Sequence, residues 1–180
     1  AVEAAGAQLN SDYSTCEVSF PEGNTVKSFP YTAWLEKADA VIDFAKLKTH
    51  AMAGMTCAVK NFFGAIPGTR KPEFHYMHPL TADFCDMLCD LAAYVKPRLT
   101  LVDAVMCMEG NGPTAGTPRA VGAVLAACSP HALDLACRAH RPRREGRADG
   151  GRGHQARSLP RERGGAQHKR RPGRLRAAGL

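Results

Sequence analysis

At 180 residues with a formal net charge of +7, the chain is long enough to bury a real core, but its charge is spread unevenly. Residues 1–137 carry 10 Lys+Arg against 14 Asp+Glu, net −4, and residues 138–180 carry 14 against 3, net +11. The tail has no Val, Ile, Phe, Tyr, Trp, Met or Cys, which excludes a core of its own and predicts disorder over 138–180. No apolar run reaches ~18 residues, so no transmembrane helix is expected, and no charged-then-apolar leader is visible in this stretch of sequence.

Ala1–Ala7 reads as a helix end closed by Gly6, which predicts that an upstream part has been cut off. Cys16–Phe20 alternates and is followed by Pro21, Gly23 and Asn24, the pattern of a strand and a turn, with Thr25–Phe29 as its hairpin partner. Trp34–Ala38 fits a short helical turn, and Asp39–Phe44 a buried strand. The stretch Lys46–Gly68 follows immediately and holds three lysines, a histidine, an asparagine and three glycines. A basic, Gly-containing loop leaving a strand end suits an anion, because backbone N–H and ammonium groups converge on its oxygens.

Within that stretch Met55–Phe63 has helical character, with Thr56 as its cap. His75 and His78 fall in an irregular segment, and Pro79–Val95 is the clearest helix. There Phe84, Leu88, Leu91 and Val95 form a stripe, and Asp83, Asp86 and Asp90 keep mostly to the outer side. Leu99–Val105 is a second buried strand carrying Asp103, the loop Met108–Arg119 follows, Val121–Ala127 is a third strand, and Pro130–Cys137 starts a helix. This order predicts an α/β domain over 1–137 with a mixed or mostly parallel sheet flanked by helices, followed by a disordered tail. Ligands of such sheets sit outside the carboxyl ends of the strands, so Lys46–His50 and Met108–Gly116 are expected to meet at one edge.

The residue types there suggest roles. If the strand persists, Lys46, Lys48 and His50 fall on one side, and Lys60 joins them as an oxyanion stabiliser. His50 is the candidate proton carrier, with Asp103 and Glu109 as carboxylate partners. Thr56, Asn61, Gly64, Gly68, Gly110, Asn111 and Gly112 complete a candidate cofactor-binding set through hydroxyl, amide and close backbone approach. Each has a plainer alternative: solvated lysines, turn chemistry, and Asp103 and Glu109 balancing Lys46 or Lys60. His75 and His78 lack HxxxH or HExxH spacing, so packing or surface histidines are favoured over a metal site. Seven cysteines without a CxxC pair predict reduced thiols in a cytoplasmic protein. Cys85 and Cys89, on one helix face, suit core packing, and Cys57 is the one thiol expected to be reactive. Asp134 defaults to capping or exposure.

The strings DFAKLKTH, MTCAVKNFFGAIPG, VKPRLTLVDAV and MEGNGPTAGTPR, in this order and followed by SPHALDLAC, resemble the bacterial and archaeal family known as domain of unknown function 362. The resemblance covers Ala1 to Cys137. It implies no general reaction, but many members carry a ferredoxin-like iron–sulfur domain, usually with CxxCxxCxxxCP spacing. A 4Fe–4S cluster is thus implied for a full-length parent, though this chain has no such ligand set. The likeness stops near Cys137 and gives way to Arg, Gly, Ala and Pro, the composition of GC-rich coding read out of frame. A frameshifted end is expected, with the C-terminal part of the native domain missing. Together these features predict an uncharacterised protein with a Lys/His/carboxylate cleft for an anionic small molecule or cofactor, redox-related through the family's cluster-bearing members, with a ferredoxin-like domain or partner. The alternatives are a non-catalytic electron-transfer or scaffold protein docking an acidic partner, and nonspecific polyanion binding through the basic tail. No specific nucleic acid and no membrane are expected.

Overall fold

The computed structural model describes residues 2–140. The expectation of a disordered tail over 138–180 therefore falls, from residue 141 onward, outside the described residues.

Thr15–Ser19 (β1) and Ser28–Thr32 (β2) form an antiparallel ribbon in which Val18 faces Phe29 and Cys16 faces Tyr31. The hairpin was expected, but its second strand lies a few residues later, because residues 24–26 are used by the turn. Their backbone N–H groups donate to the Asp90 carboxylate at 2.9, 2.6 and 2.9 Å. Asp90, expected on an outer face, is 3% exposed, and it ties the ribbon to the long helix. The turn is tight, since a Cβ at Gly23 would lie 2.1 Å from the Val26 carbonyl oxygen.

A 3-10 segment, Ala33–Lys37, matches the expected helical turn and leads to Ile42–His50 (β3). Alternate residues of β3 are buried, with Leu47 and Thr49 fully so, as a strand covered on one face requires. A three-residue loop, Ala51–Ala53, with Gly54 at φ +75° returns the chain into Gly54–Thr56 (β4). Glycine enters this left-handed region without the Cβ penalty, a common hairpin solution. The helix expected over Met55–Phe63 is thus split: β4, then Ala58–Asn61 (α1), then a 3-10 segment over Phe62–Ala65. Thr56 does not cap it. Asp134 does, accepting from Ala58 N and Val59 N at 2.8 and 3.2 Å.

Lys71–Met77 (α2) carries His75, so this segment is helical and not irregular. Thr81–Val95 (α3) buries Phe84, Met87, Leu88 and Leu91 along one stripe and leaves Asp83 and Asp86 exposed. Lys96 in the left-handed region and Pro97 end it. Leu99–Glu109 (β5) and Thr117–Ala127 (β6) follow, then Pro130–Cys137 (α4), capped by Ser129.

The sheet order is β4-β3-β5-β6, with β3 and β5 parallel and the other pairs antiparallel, a mixed sheet flanked by helices. Two apolar clusters hold the chain. One joins the ribbon, the Phe62–Ile66 segment, α2 and α3 around Phe29, Tyr31, Phe63 and Phe84. The other packs α1 and α4 on one sheet face around Leu47, Cys57, Val102, Cys107 and Leu133. The opposite face exposes Ile42, Phe44, Val105 and Val124.

Candidate functional site

β3 does persist to His50, so Lys46, Lys48 and His50 share the less buried face of the strand. Lys46 is nevertheless spent: its Nζ lies 2.7 Å from Asp103 Oδ2, its register partner across the parallel pair. That contact, with the Val105 N–H, holds the Asp103 carboxyl below its usual range. Glu109 sits elsewhere. A register shift between Ala104 and Met106 reverses the alternation of β5, so Glu109 falls on the face of buried Cys107 and accepts from Arg119 Nη1 at 3.1 Å. The two carboxylates therefore lie on opposite sheet faces and do not meet one substrate together. His50 Nδ1 accepts from Met52 N and Ala53 N, each at 3.2 Å, which binds it into the β3–β4 turn as the Nε2–H tautomer.

The expected meeting of the two strand ends does occur. Lys48 pairs with Met108, and the loop after β5 packs against β3 so closely that a Cβ on Gly112 would lie 2.2 Å from the Thr49 carbonyl oxygen. Gly112 thus serves backbone packing, Gly110 takes φ +79° at the strand end, and Asn111 accepts from Ala115 N within the loop. Because the obstacle is backbone, Gly112→Ala is expected to cost about 1–3 kcal/mol in chemical denaturation. Asn61 donates to Asp43 Oδ1 at 2.6 Å. Gly64 and Gly68 have open space where a Cβ would be, and Thr56 Oγ1 is buried without a hydrogen-bond partner.

The lysine that stands out is Lys60. It is half-buried, with Nζ 5.2 Å from the Phe63 ring centroid and 5.8 Å from that of Phe84. Lys71 Nζ lies 5.6 Å from the same Phe63 ring. His75 stacks on Phe84 at 4.7 Å and meets Phe63 edge-on at 5.4 Å. Burial, then Lys71 and Lys48, push the Lys60 ammonium below its ordinary value, and burial with Lys60 does the same to His75. Glu73 is taken by Arg70 at 2.8 Å. Among the described residues, Lys48, Lys60 and Lys71 make no ion pair. Two aromatic rings supply cation–π stabilisation, but no counter-charge stands beside these lysines among the described residues.

Lys71 was not singled out in the sequence, and His75 was weighed only with His78 as a metal or packing histidine, because their helix shows little periodicity. Pro72 in its first turn was the available signal. Cys57, expected to be reactive, is fully buried, and its thiol is pushed far up by burial and by Asp134 and Cys137. Asp134, capping α1 from α4, is itself pushed up by burial despite the N–H groups it accepts. A raised folded-state value means that the folded chain holds the proton more tightly, so the stability contributed by Asp134 falls as pH rises through the window above the usual carboxylate range. In parallel urea titrations, Asp134→Asn is expected to lose ground to wild type below this window and to recover part of the difference above it.

Residues 1–139 match the family described as a domain of unknown function, DUF362. The chain belongs to this family. The DUF362 chain is also similar to the thylakoid-associated protein sll1697 of Synechocystis sp. (strain ATCC 27184 / PCC 6803 / Kazusa), at 44% identity over 99 residues. Those residues are 54% of this chain and 31% of the relative, so the match spans about a third of that protein's length. No solved structure matches. Among the described residues of this DUF362 chain, no helix is long and apolar enough to cross a membrane, and no group of three or more His, Cys, Asp or Glu is arranged to hold a metal ion.

Proposed function

We propose that this DUF362 chain binds a small oxyanion, a phosphate or carboxylate, at Lys60 with Lys71, Lys48 and His75 around it. The observation that carries the reading is the half-buried Lys60 ammonium, which has no ion-pair partner among the described residues and stands beside two further cations. Crowding like charges lowers stability unless something of opposite sign fills the space, and a bound anion supplies that charge through charge-assisted hydrogen bonds. Lys46 and Asp103, neutralised by each other, stand outside the site, and His50 serves the turn.

The iron–sulfur association of the family is assigned on this reading to a ferredoxin-like domain or partner, not to these residues. All seven cysteines are free thiols, which supports a reducing compartment, and we place the chain in the cytoplasm. Calorimetric titration of the full chain with inorganic phosphate and pyrophosphate tests the reading. Binding that is lost in Lys60→Met and kept in Lys46→Met supports it, and equal binding by both variants refutes it.

A further inference from the structure

Lys60 also borders a groove of about 380 Å³ between α1, α3 and α4. Its volume falls in the range of small-molecule sites, roughly 300–1,000 Å³. Met55, Val59, Leu88 and Leu135 give it apolar walls. Cys85 and Cys89 line it too, and burial pushes both thiols up, so they present neutral, polarisable surface. The charged groups along it are cationic except for Asp134, whose two oxygens are occupied by the Ala58 and Val59 N–H groups. Lys60 is joined there by Arg138, and the His131 ring also lines the groove. An apolar trough with a cation at its wall and no available carboxylate is complementary to a molecule with an acidic head and an apolar body.

We infer that this groove holds a single-chain amphipathic carboxylate, its head on Lys60 and its body along Val59, Leu88 and Leu135. The inference rests on the anion reading of Lys60 and adds the class of ligand. An inorganic anion would use the cations around Lys60 and leave the apolar walls wet, whereas an apolar body removes that surface from water.

The test uses the full chain titrated by calorimetry, in separate arms, with decanoate below its micelle-forming concentration, with inorganic phosphate, and with phosphatidylglycerol vesicles. Leu135 is 66% exposed, so Leu135→Glu places a negative charge in the groove with little risk to folding. Decanoate is expected to bind at least tenfold more tightly than phosphate. Leu135→Glu should weaken decanoate at least tenfold while phosphate is weakened less, and Lys60→Met should abolish both. Decanoate should also slow alkylation of Cys85 and Cys89 by N-ethylmaleimide, read by mass spectrometry. If phosphate binds through Lys60 but decanoate is no tighter and ignores Leu135→Glu, the groove assignment falls while the anion site stands. If neither binds, both fall. Decanoate binding indifferent to Lys60→Met, or binding only to vesicles, overturns the groove assignment.

Discussion

Asp90→Ala should unfold the chain at a markedly lower temperature than wild type. Three backbone N–H groups, from Asn24, Thr25 and Val26, donate to this one buried carboxylate. The substitution leaves all three without their acceptor, in a turn too tight to re-pair them. Stranding buried donors costs about 1–3 kcal/mol apiece, and water reaches the exposed Asn24 end, so a net loss of roughly 3 kcal/mol is expected. For a domain of this size that corresponds to a fall in Tm of roughly 10 °C. Asp90→Asn keeps one oxygen as acceptor but points an NH₂ at a donor, so it should lie between the two. Thermal unfolding followed by far-UV circular dichroism measures both, and a loss below about 1 kcal/mol in Asp90→Ala would show that the ribbon does not depend on this contact.

Lys60→Met should separate binding from stability. Methionine keeps much of the stem volume over Phe63 and Phe84 while removing a half-buried charge that has no ion-pair partner among the described residues. Phosphate affinity should fall at least tenfold, since a hydrogen bond to a charged group contributes about 1.5–3 kcal/mol. Stability at neutral pH should not fall. The reason lies in linkage: the folded chain holds the Lys60 proton less tightly than the unfolded chain, so wild type gains stability as pH rises through the window below the ordinary lysine value, and Lys60→Met lacks that gain. A variant that loses binding but not stability marks a group kept for its ligand.

Much of the scaffold could be read from residue order. The stripe of Phe84, Leu88 and Leu91 carried its period clearly and the helix stands there, whereas the strand expected over Asp39–Phe44 begins later and runs on as Ile42–His50, because the apolar run marked only its start. Elements with mixed signals were harder. Gly54–Thr56 is too short to show a period of two, and the Ala, Val and Phe that follow suit a helix as well as a strand. Long-range caps leave no local trace: Asp90 serves residues 64 to 66 positions away, and Asp134 serves residues 75 and 76 positions away. The site divides in the same manner. Lysines clustered in sequence pointed to Lys46–Lys60, but which of them is neutralised depended on strand register, which pairs Lys46 with Asp103. The convergence of Lys60, Lys71 and His75 on two rings is made by packing between α1 and α2 and the segments that carry Phe63 and Phe84.

The most direct measurement is the titration of the lysine side chains by NMR, with the Cε–H resonances assigned through Lys60→Met and Lys71→Met, in the absence and presence of inorganic phosphate. The anion-site account predicts that Lys60 titrates below the exposed lysines and that phosphate moves it upward. A Lys60 resonance that titrates with the exposed lysines and ignores phosphate would contradict it.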